Sequence, residues 1–194
     1  MSEVKRIIAV LDANVLYPAP IRDFLLRLAE ADLFIPKWSD EIHNEWVRNL
    51  LKNRPDLKAA QIEKTCRAMD NAFECANIKG FQSLINELDL PDKDDRHVLA
   101  VAIKSQASII ITFNKKDFPA RSVKSHAVEI KDPDDFIVYL LKSNKSKVLE
   151  SFSRLVNALK KPPQTQGQVL ATLENCGLSE SVAVIRKMLL LNPI

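Results

Sequence analysis

Cysteine is scarce in this chain, and it is spaced for neither of its structural uses. Cys66, Cys75 and Cys176 are odd in number and form no C-x-x-C pair. That argues against a disulfide framework and against a zinc site, and it leaves three ordinary thiols of a reducing compartment. No uninterrupted apolar stretch approaches the roughly 20 residues that a membrane helix needs. The opening Met-Ser-Glu-Val-Lys-Arg runs into a strand with no signal-peptide core, so the protein is expected to be soluble and cytoplasmic, with no membrane partner. Internal repeats and low-complexity segments are also missing. Glycine is almost absent, at three residues, and Gly80 is placed to mark a turn.

The chain does hold enough apolar residues for a core, at 46% of 194 positions. Its net charge of +3 is small and unevenly spread: residues 145–194 carry seven Lys or Arg against three Glu, leaving the rest slightly acidic. Residues 6–11 are a β-branched run suited to a strand covered on both faces. Pro18 and Pro20 fit the start of a helix carrying Ile21, Phe24, Leu25 and Leu28 at helical spacing. Residues 33–36 read as a second strand. Ser39 is then the N-cap of a helix burying Ile42, Trp46, Val47 and Leu50. Residues 56–75 form another amphipathic helix, 98–104 a further one, 108–112 a strand, and the stretch around 127–130 a last strand before Pro133 and a helix through Leu141. Strands alternating with helices in this way predict an α/β fold, a central parallel sheet sandwiched by helices. Ser143–Lys147 is the best boundary, giving one domain over 1–144 and an extension over 145–194. The extension has no strand signal. It reads as three helices, near 147–160, 166–175 and 179–191, with Thr165 as an N-cap and Gly177 as a stop.

The chemistry-bearing residues are four acids far apart in sequence. Asp12 closes the first strand, Glu45 lies one turn into a helix, Asp95 opens a helix, and Asp117 follows the strand 108–112 after a short turn. In an open parallel sheet such positions meet at the carboxyl edge of the strands, where ligands bind. Carboxylates gathered there repel one another, and a divalent cation is the usual remedy. Mg²⁺ or Mn²⁺ suits an all-oxygen site, and its habitual partner is phosphate. The residues therefore point to a metal-dependent phosphodiesterase acting on nucleic acid. Lys37, Arg48, Lys52, Arg54, Arg96, Lys115, Lys116 and Arg121 flank the acids and could meet phosphates, although solvated surface charge explains any one of them equally well.

Four blocks carry a resemblance. Val10-Leu11-Asp12-Ala13-Asn14-Val15-Leu16, then Trp38-Ser39-Asp40-Glu41-Ile42-His43-Asn44-Glu45, then Asp92-Lys93-Asp94-Asp95-Arg96-His97-Val98-Leu99-Ala100, then Ile111-Thr112-Phe113-Asn114-Lys115-Lys116-Asp117-Phe118 together resemble a PIN domain across about residues 5–142. The tail around Lys161–Thr165 and Cys176-Gly177-Leu178 resembles the C-terminal helical extension of one subgroup of VapC-type toxins. The resemblance implies a PIN-like three-layer α/β/α sandwich and Mg²⁺- or Mn²⁺-dependent hydrolysis of RNA. It further implies the role of toxin in a toxin–antitoxin pair, with a cognate antitoxin and a homodimer as partners. Matched residue by residue, it puts the metal ligands at Asp12, Glu45, Asp95 and Asp117 and a polar helper at Asn14.

Alternatives stay open at several points. Asp92 or Asp94 could replace Asp95 as the metal-facing acid, and Glu41 competes with Glu45 on one helix side. His43 and His97 could be ligands or bases, but packing is the commoner use of such residues. Trp38 could stack on a base only if exposed. A metal-dependent DNA nuclease or phosphatase needs the same acids, and a PIN-like scaffold binding RNA or protein without catalysis would need none. A receiver-type signalling domain fits less well, because no Asp-Asp pair ends the first strand.

Overall fold

The computed structural model describes residues 6–191; the reading of the N-terminus as leaderless falls on residues 1–5, outside that range. In chain order the elements are β1 Ile8–Leu11, α1 Ala13–Leu16, α2 Ala19–Glu30, β2 Ile35–Lys37, α3 Asp40–Asn53, α4 Ala59–Ala72, α5 Gln82–Ile85, α6 Arg96–Lys104, β3 Ile109–Ile111, α7 Ala120–Val123, β4 Glu129–Lys131, α8 Pro133–Ser143, α9 Lys145–Ala158, α10 Gln166–Asn175 and α11 Ser179–Leu191. Short 3-10 turns occupy Lys115–Asp117 and Lys124–His126. The chain divides into two compact units. One comprises the residues up to Tyr17 with Phe34–Lys131, and the other Pro18–Leu33 with the residues from Asp132 onward.

The first unit contains the sheet, in the order β2-β1-β3-β4 with every pairing parallel. The expected α/β class is what the structure shows, a central parallel sheet flanked by helices. Its central strands are the apolar runs Ile-Ala-Val-Leu and Ile-Ile-Ile, buried almost throughout, because strands covered on both faces have no side for polar residues. The edges are protected differently. β2 carries Pro36, which has no N–H to offer an incoming strand, and β4 carries Glu129 and Lys131, which pair with each other. Helix α6 packs on β1 and β3, α1 on α3, and α3 on α4. Ser39 caps α3 as expected, its hydroxyl accepting from the Ile42 amide at 3.3 Å, and Ile42, Trp46 and Trp38 are fully buried. Gly80 turns the chain at φ +70, in the left-handed region.

The strands are shorter than their apolar runs, and a one-turn helix, α1, stands between the first strand and Pro18, where the sequence pattern assigned no element. The cause of the second difference is local. Asp12 is extended (φ −70, ψ 157) and its carboxylate accepts from the Ala13 amide, which turns the chain into a helix immediately after β1.

The second unit is all helical and gathers α2 and α8 with α9, α10 and α11. Phe24 of α2 and Phe152 of α9 meet edge to face, their ring centroids 6.3 Å apart. Thr165 and Gln168 form a full capping box at the start of α10, and Gly177, at φ +100, ends that helix as expected. The N-terminus of α11 is capped at long range: the buried Asp134 of α8 accepts from the Glu180 and Ser181 amides, both at 2.8 Å.

Candidate active site

Strand order determines where the acids go. β1 connects outward to β2 on one side, and the chain then crosses to β3 on the other, so the carboxyl ends of β1 and β3 flank the point where the winding reverses. In the β1–β3 ladder Leu11 lies beside Ile111, which brings Asp12 and Thr112 together just past the strand ends. Asp12 is only 2% exposed. Its Oδ1 accepts from the Ala13 amide at 2.6 Å, and its Oδ2 accepts from Asn14 Nδ2 at 2.6 Å and from the Thr112 hydroxyl at 2.7 Å. Asn14 also donates to Thr112 Oγ1 at 2.9 Å and accepts from the Phe113 amide at 3.0 Å. Asn14 therefore binds the β1 and β3 ends into one rigid corner. Burial still raises the Asp12 pKa, outweighing the opposing hydrogen bonds and the His97 charge.

The other acids act on this corner through their charge. Asp95 stands at the N-cap position of α6 but makes no capping bond. Burial first, and then the charges of Asp12, Asp92, Asp117 and Glu45, push its pKa up to about 7. Its Oδ2 is a buried atom with no hydrogen-bond partner. Glu45, half-buried on α3, is raised by burial and then by Asp12, while His97 and Arg48 pull it down. Asp117, also half-buried, ends the 3-10 turn after β3. All four sequence-expected acids thus share one electrostatic field.

The competing carboxylates of the third block lie in the same field, Asp92 raising Asp95 and Asp94 raising Glu45, but they are more exposed. Asp92 is exposed and accepts from the Asp94 amide at 2.9 Å in a local turn. Asp94 is exposed too. Glu41 accepts from Gln82 at 2.8 Å. His43 is buried away from the acids: its Nδ1 accepts from Trp46 Nε1 at 3.0 Å and its Nε2 lies 3.3 Å from Asp70. Trp38 is fully buried and donates to Asp70 at 2.8 Å, so it offers no stacking face. Among the flanking cations, Lys37 turns inward to the Cys75 carbonyl and Arg54 pairs with Asp56, whereas Arg48, Lys115, Lys116 and Arg121 are exposed.

The sequence model of the PIN domain matches residues 8–116, a span that contains Asp12, Asn14, Glu45 and Asp95 and stops one residue short of Asp117. The chain belongs to the PIN-domain family. Beyond its PIN domain, residues 133–187 match the model of the VapC50 C-terminal domain. VapC50 of Mycobacterium tuberculosis (strain ATCC 25618 / H37Rv), a protein named as a candidate ribonuclease, is 32% identical over 103 residues. That stretch covers 53% of this chain and 60% of the relative, less than two thirds of its length. No solved structure matches the chain.

One participant in this candidate site, Thr112, was not singled out from sequence, and another, His97, was weighed there only as a ligand or base against a packing role. Thr112 stood only within a matched block, yet it is the second side-chain donor to Asp12; the signal for it lay in strand order, because it follows the strand beside β1. His97 donates from Nδ1 to the Asp94 carbonyl at 2.6 Å, which leaves Nε2 buried, without a hydrogen bond and 3.6 Å from Glu45. Its proximity to Glu45 comes from the first turn of α6, a placement that no spacing in the sequence reveals.

Among the described residues, no group of three or more His, Cys, Asp or Glu side chains is gathered tightly enough to hold a metal ion as it stands. The chemistry of the donor set nevertheless fits a hard divalent cation: four carboxylates in one field, two of them with raised pKa values beside the buried Asp12, and an orphaned Asp95 oxygen.

Proposed function

We propose that this PIN-domain chain is a divalent-metal-dependent endoribonuclease, the toxin of a VapC-type toxin–antitoxin pair, working in the cytoplasm as a homodimer restrained by a cognate antitoxin. The observation that carries the reading is Asp95. A half-buried carboxyl pushed up to about 7, first by burial and then by the charges of four other acids around it, is costly to keep ionised without a counter-charge, and it suits a cation. The candidate-ribonuclease relative supports RNA as the substrate. Among the described residues no helix is long and apolar enough to cross a membrane.

Asp12, Asp95 and Asp117 would hold Mg²⁺ or Mn²⁺, with Glu45 as a further ligand or as the group that orients the attacking water. When bound, the cation supplies water activation and neutralises charge on the phosphate oxygens. Asn14 and Thr112 position Asp12 by holding its Oδ2 from two sides. Glu45, with its raised pKa, accepts a proton from water more readily than an ordinary surface carboxylate does. The exposed Arg48, Lys115 and Lys116 offset the acids toward an approaching phosphate backbone. The functional division we propose follows the acids, with the nuclease domain over 1–144 and a helical extension over 145–194.

The test is incubation of the full chain with total RNA in Mg²⁺, in Mn²⁺ and in EDTA, with Asp95→Asn alongside, and with single-stranded and duplex DNA as further substrates. RNA should be cut only with the cation present and not by the variant. Intact RNA under both metals would sink the nuclease reading, and equal cutting of DNA would favour a DNA nuclease. A small reading frame for a DNA-binding protein beside the gene would support the antitoxin.

A further inference from the structure

The site described above is strongly acidic, and its substrate is a polyanion. Metal and the neighbouring lysines answer part of that repulsion, but a contact free of charge would hold RNA there whatever the local field. One side chain has the right chemistry and the right place. Phe113 is 39% exposed. It is the one large apolar side chain of the first unit that is exposed among the described residues, since Tyr139, Leu190 and Leu191 belong to the second unit. Of the other aromatics of this unit, Trp38, Trp46 and Phe81 are fully buried, Phe118 is 2% and Phe34 3% exposed, and Tyr17 and Phe73 are half-buried.

A single exposed aromatic is unremarkable by itself. Phe113 differs in its anchoring. It follows Thr112, whose hydroxyl donates to Asp12, and its own amide donates to Asn14, whose Nδ2 donates to the same Asp12 oxygen. Two hydrogen-bonded routes thus hold the Phe113 backbone against the carboxylate at the centre of the site. Asn114, Lys115 and Lys116 follow it, all exposed, so an aromatic ring and two ammonium groups share one loop between Asp12 and Asp117. An aromatic platform beside basic side chains is the arrangement by which proteins hold single strands without reading their sequence.

We propose that Phe113 is the stacking platform for an unpaired base of single-stranded RNA next to the scissile phosphate. This rests on the nuclease reading and adds substrate recognition to it. Stacking needs a base splayed out of any helix, so loops and single-stranded ends are the preferred substrates and paired stems are spared. Base preference should be weak, because every base has a face to stack.

The experiment uses the full chain, a short single-stranded RNA carrying 2-aminopurine, and the variants Phe113→Ala, Phe113→Leu and Phe113→Trp. Binding is followed by 2-aminopurine quenching in EDTA, where nothing is cut, and cleavage is followed in Mg²⁺ or Mn²⁺. Wild type should quench the probe. Phe113→Ala and Phe113→Leu should both weaken binding, by about 5- to 100-fold, and Phe113→Trp should bind at least as well as wild type. In cleavage the loss should appear in KM with kcat little changed, as expected for a contact made equally before and during reaction. Wild-type behaviour in Phe113→Ala, or a fall in kcat with KM unchanged, overturns the proposal. So does full retention in Phe113→Leu, which keeps apolar bulk without a ring. If wild type cuts RNA and Phe113→Ala cuts it identically, only the stacking role fails; if wild type cuts no RNA, the nuclease reading fails and this falls with it.

Discussion

Replacing Asp95 by Asn should make the metal-free protein more stable at pH 8, which is an unusual outcome for a half-buried polar side chain. The folded state raises the Asp95 carboxyl from its ordinary 3.8 to about 7, so it holds the proton more tightly than the unfolded chain does. For an acid raised in this way, stability declines as pH rises from about 4 to about 7, and above 7 the full penalty is present. At ~1.4 kcal/mol per pH unit the unscreened penalty is about 4 kcal/mol. Asp95 is only half-buried, and solvent screening brings this to roughly 1–2 kcal/mol. Asn mimics the neutral acid and removes the penalty. For a chain of this size that is a gain of about 2–8 °C in Tm. Trp38 and Trp46, the only tryptophans and both buried in the sheet-bearing unit, report its unfolding by fluorescence in urea or heat. At pH 5 the folded wild type already carries the proton, so the gain should shrink to less than half. Adding Mg²⁺ should reverse the ranking, because wild type gains about 2.7 kcal/mol at a hundredfold excess over Kd and the variant less. Asp92→Asn removes one of the charges that raise Asp95, so it should give a smaller gain than Asp95→Asn without metal and lose less of the Mg²⁺ increment. A less stable Asp95→Asn at pH 8, or a gain of equal size at pH 5, would refute the electrostatic account of the site.

Asp12→Asn should abolish RNA cleavage and also destabilise the fold, by about 1–3 kcal/mol in urea. In either orientation the new amide nitrogen would face a donor, the Ala13 amide on one side or Asn14 Nδ2 and the Thr112 hydroxyl on the other, where the carboxylate accepted from all three; an undiminished midpoint would show that those bonds carry no weight. Asp134→Ala removes the cap from α11 and should cost about 1–2 kcal/mol. Circular dichroism at 222 nm should record the loss of helix while cleavage by the folded protein is unchanged, and reduced cleavage would tie this cap to the active site. A chain ended after residue 144 should keep every acid of the site but uncover the apolar faces of α2 and α8 that α9 and α11 cover. Light scattering should show aggregation, with divalent-cation binding retained in the soluble part; a monodisperse product that binds no cation would contradict this division of labour.

Much of the fold was legible because its signals are local. The β-branched runs of β1 and β3, the hydroxyls at Ser39 and Thr165 that cap α3 and α10, and the left-handed turn at Gly177 each depend on a few neighbouring residues. So do the positions of Asp12, Glu45, Asp95 and Asp117 at strand or helix ends, and the PIN-domain match spans the first three of them. What only the tertiary structure decided is which side chains face one another. The parallel register of β1 and β3 makes Thr112 a partner of Asp12 across a hundred residues of chain. The first turn of α6 leaves Asp95 Oδ2 buried without a hydrogen-bond partner while Asp92 accepts a bond from its own turn, and burial takes Trp38 out of reach of any base. Sequence pattern determines which elements form and which residues stand at their ends, because hydrogen bonding and hydrophobic periodicity act over a few positions. Burial, charge coupling and pKa arise from distances between segments remote in the chain, and those distances exist only once the sheet has chosen its order.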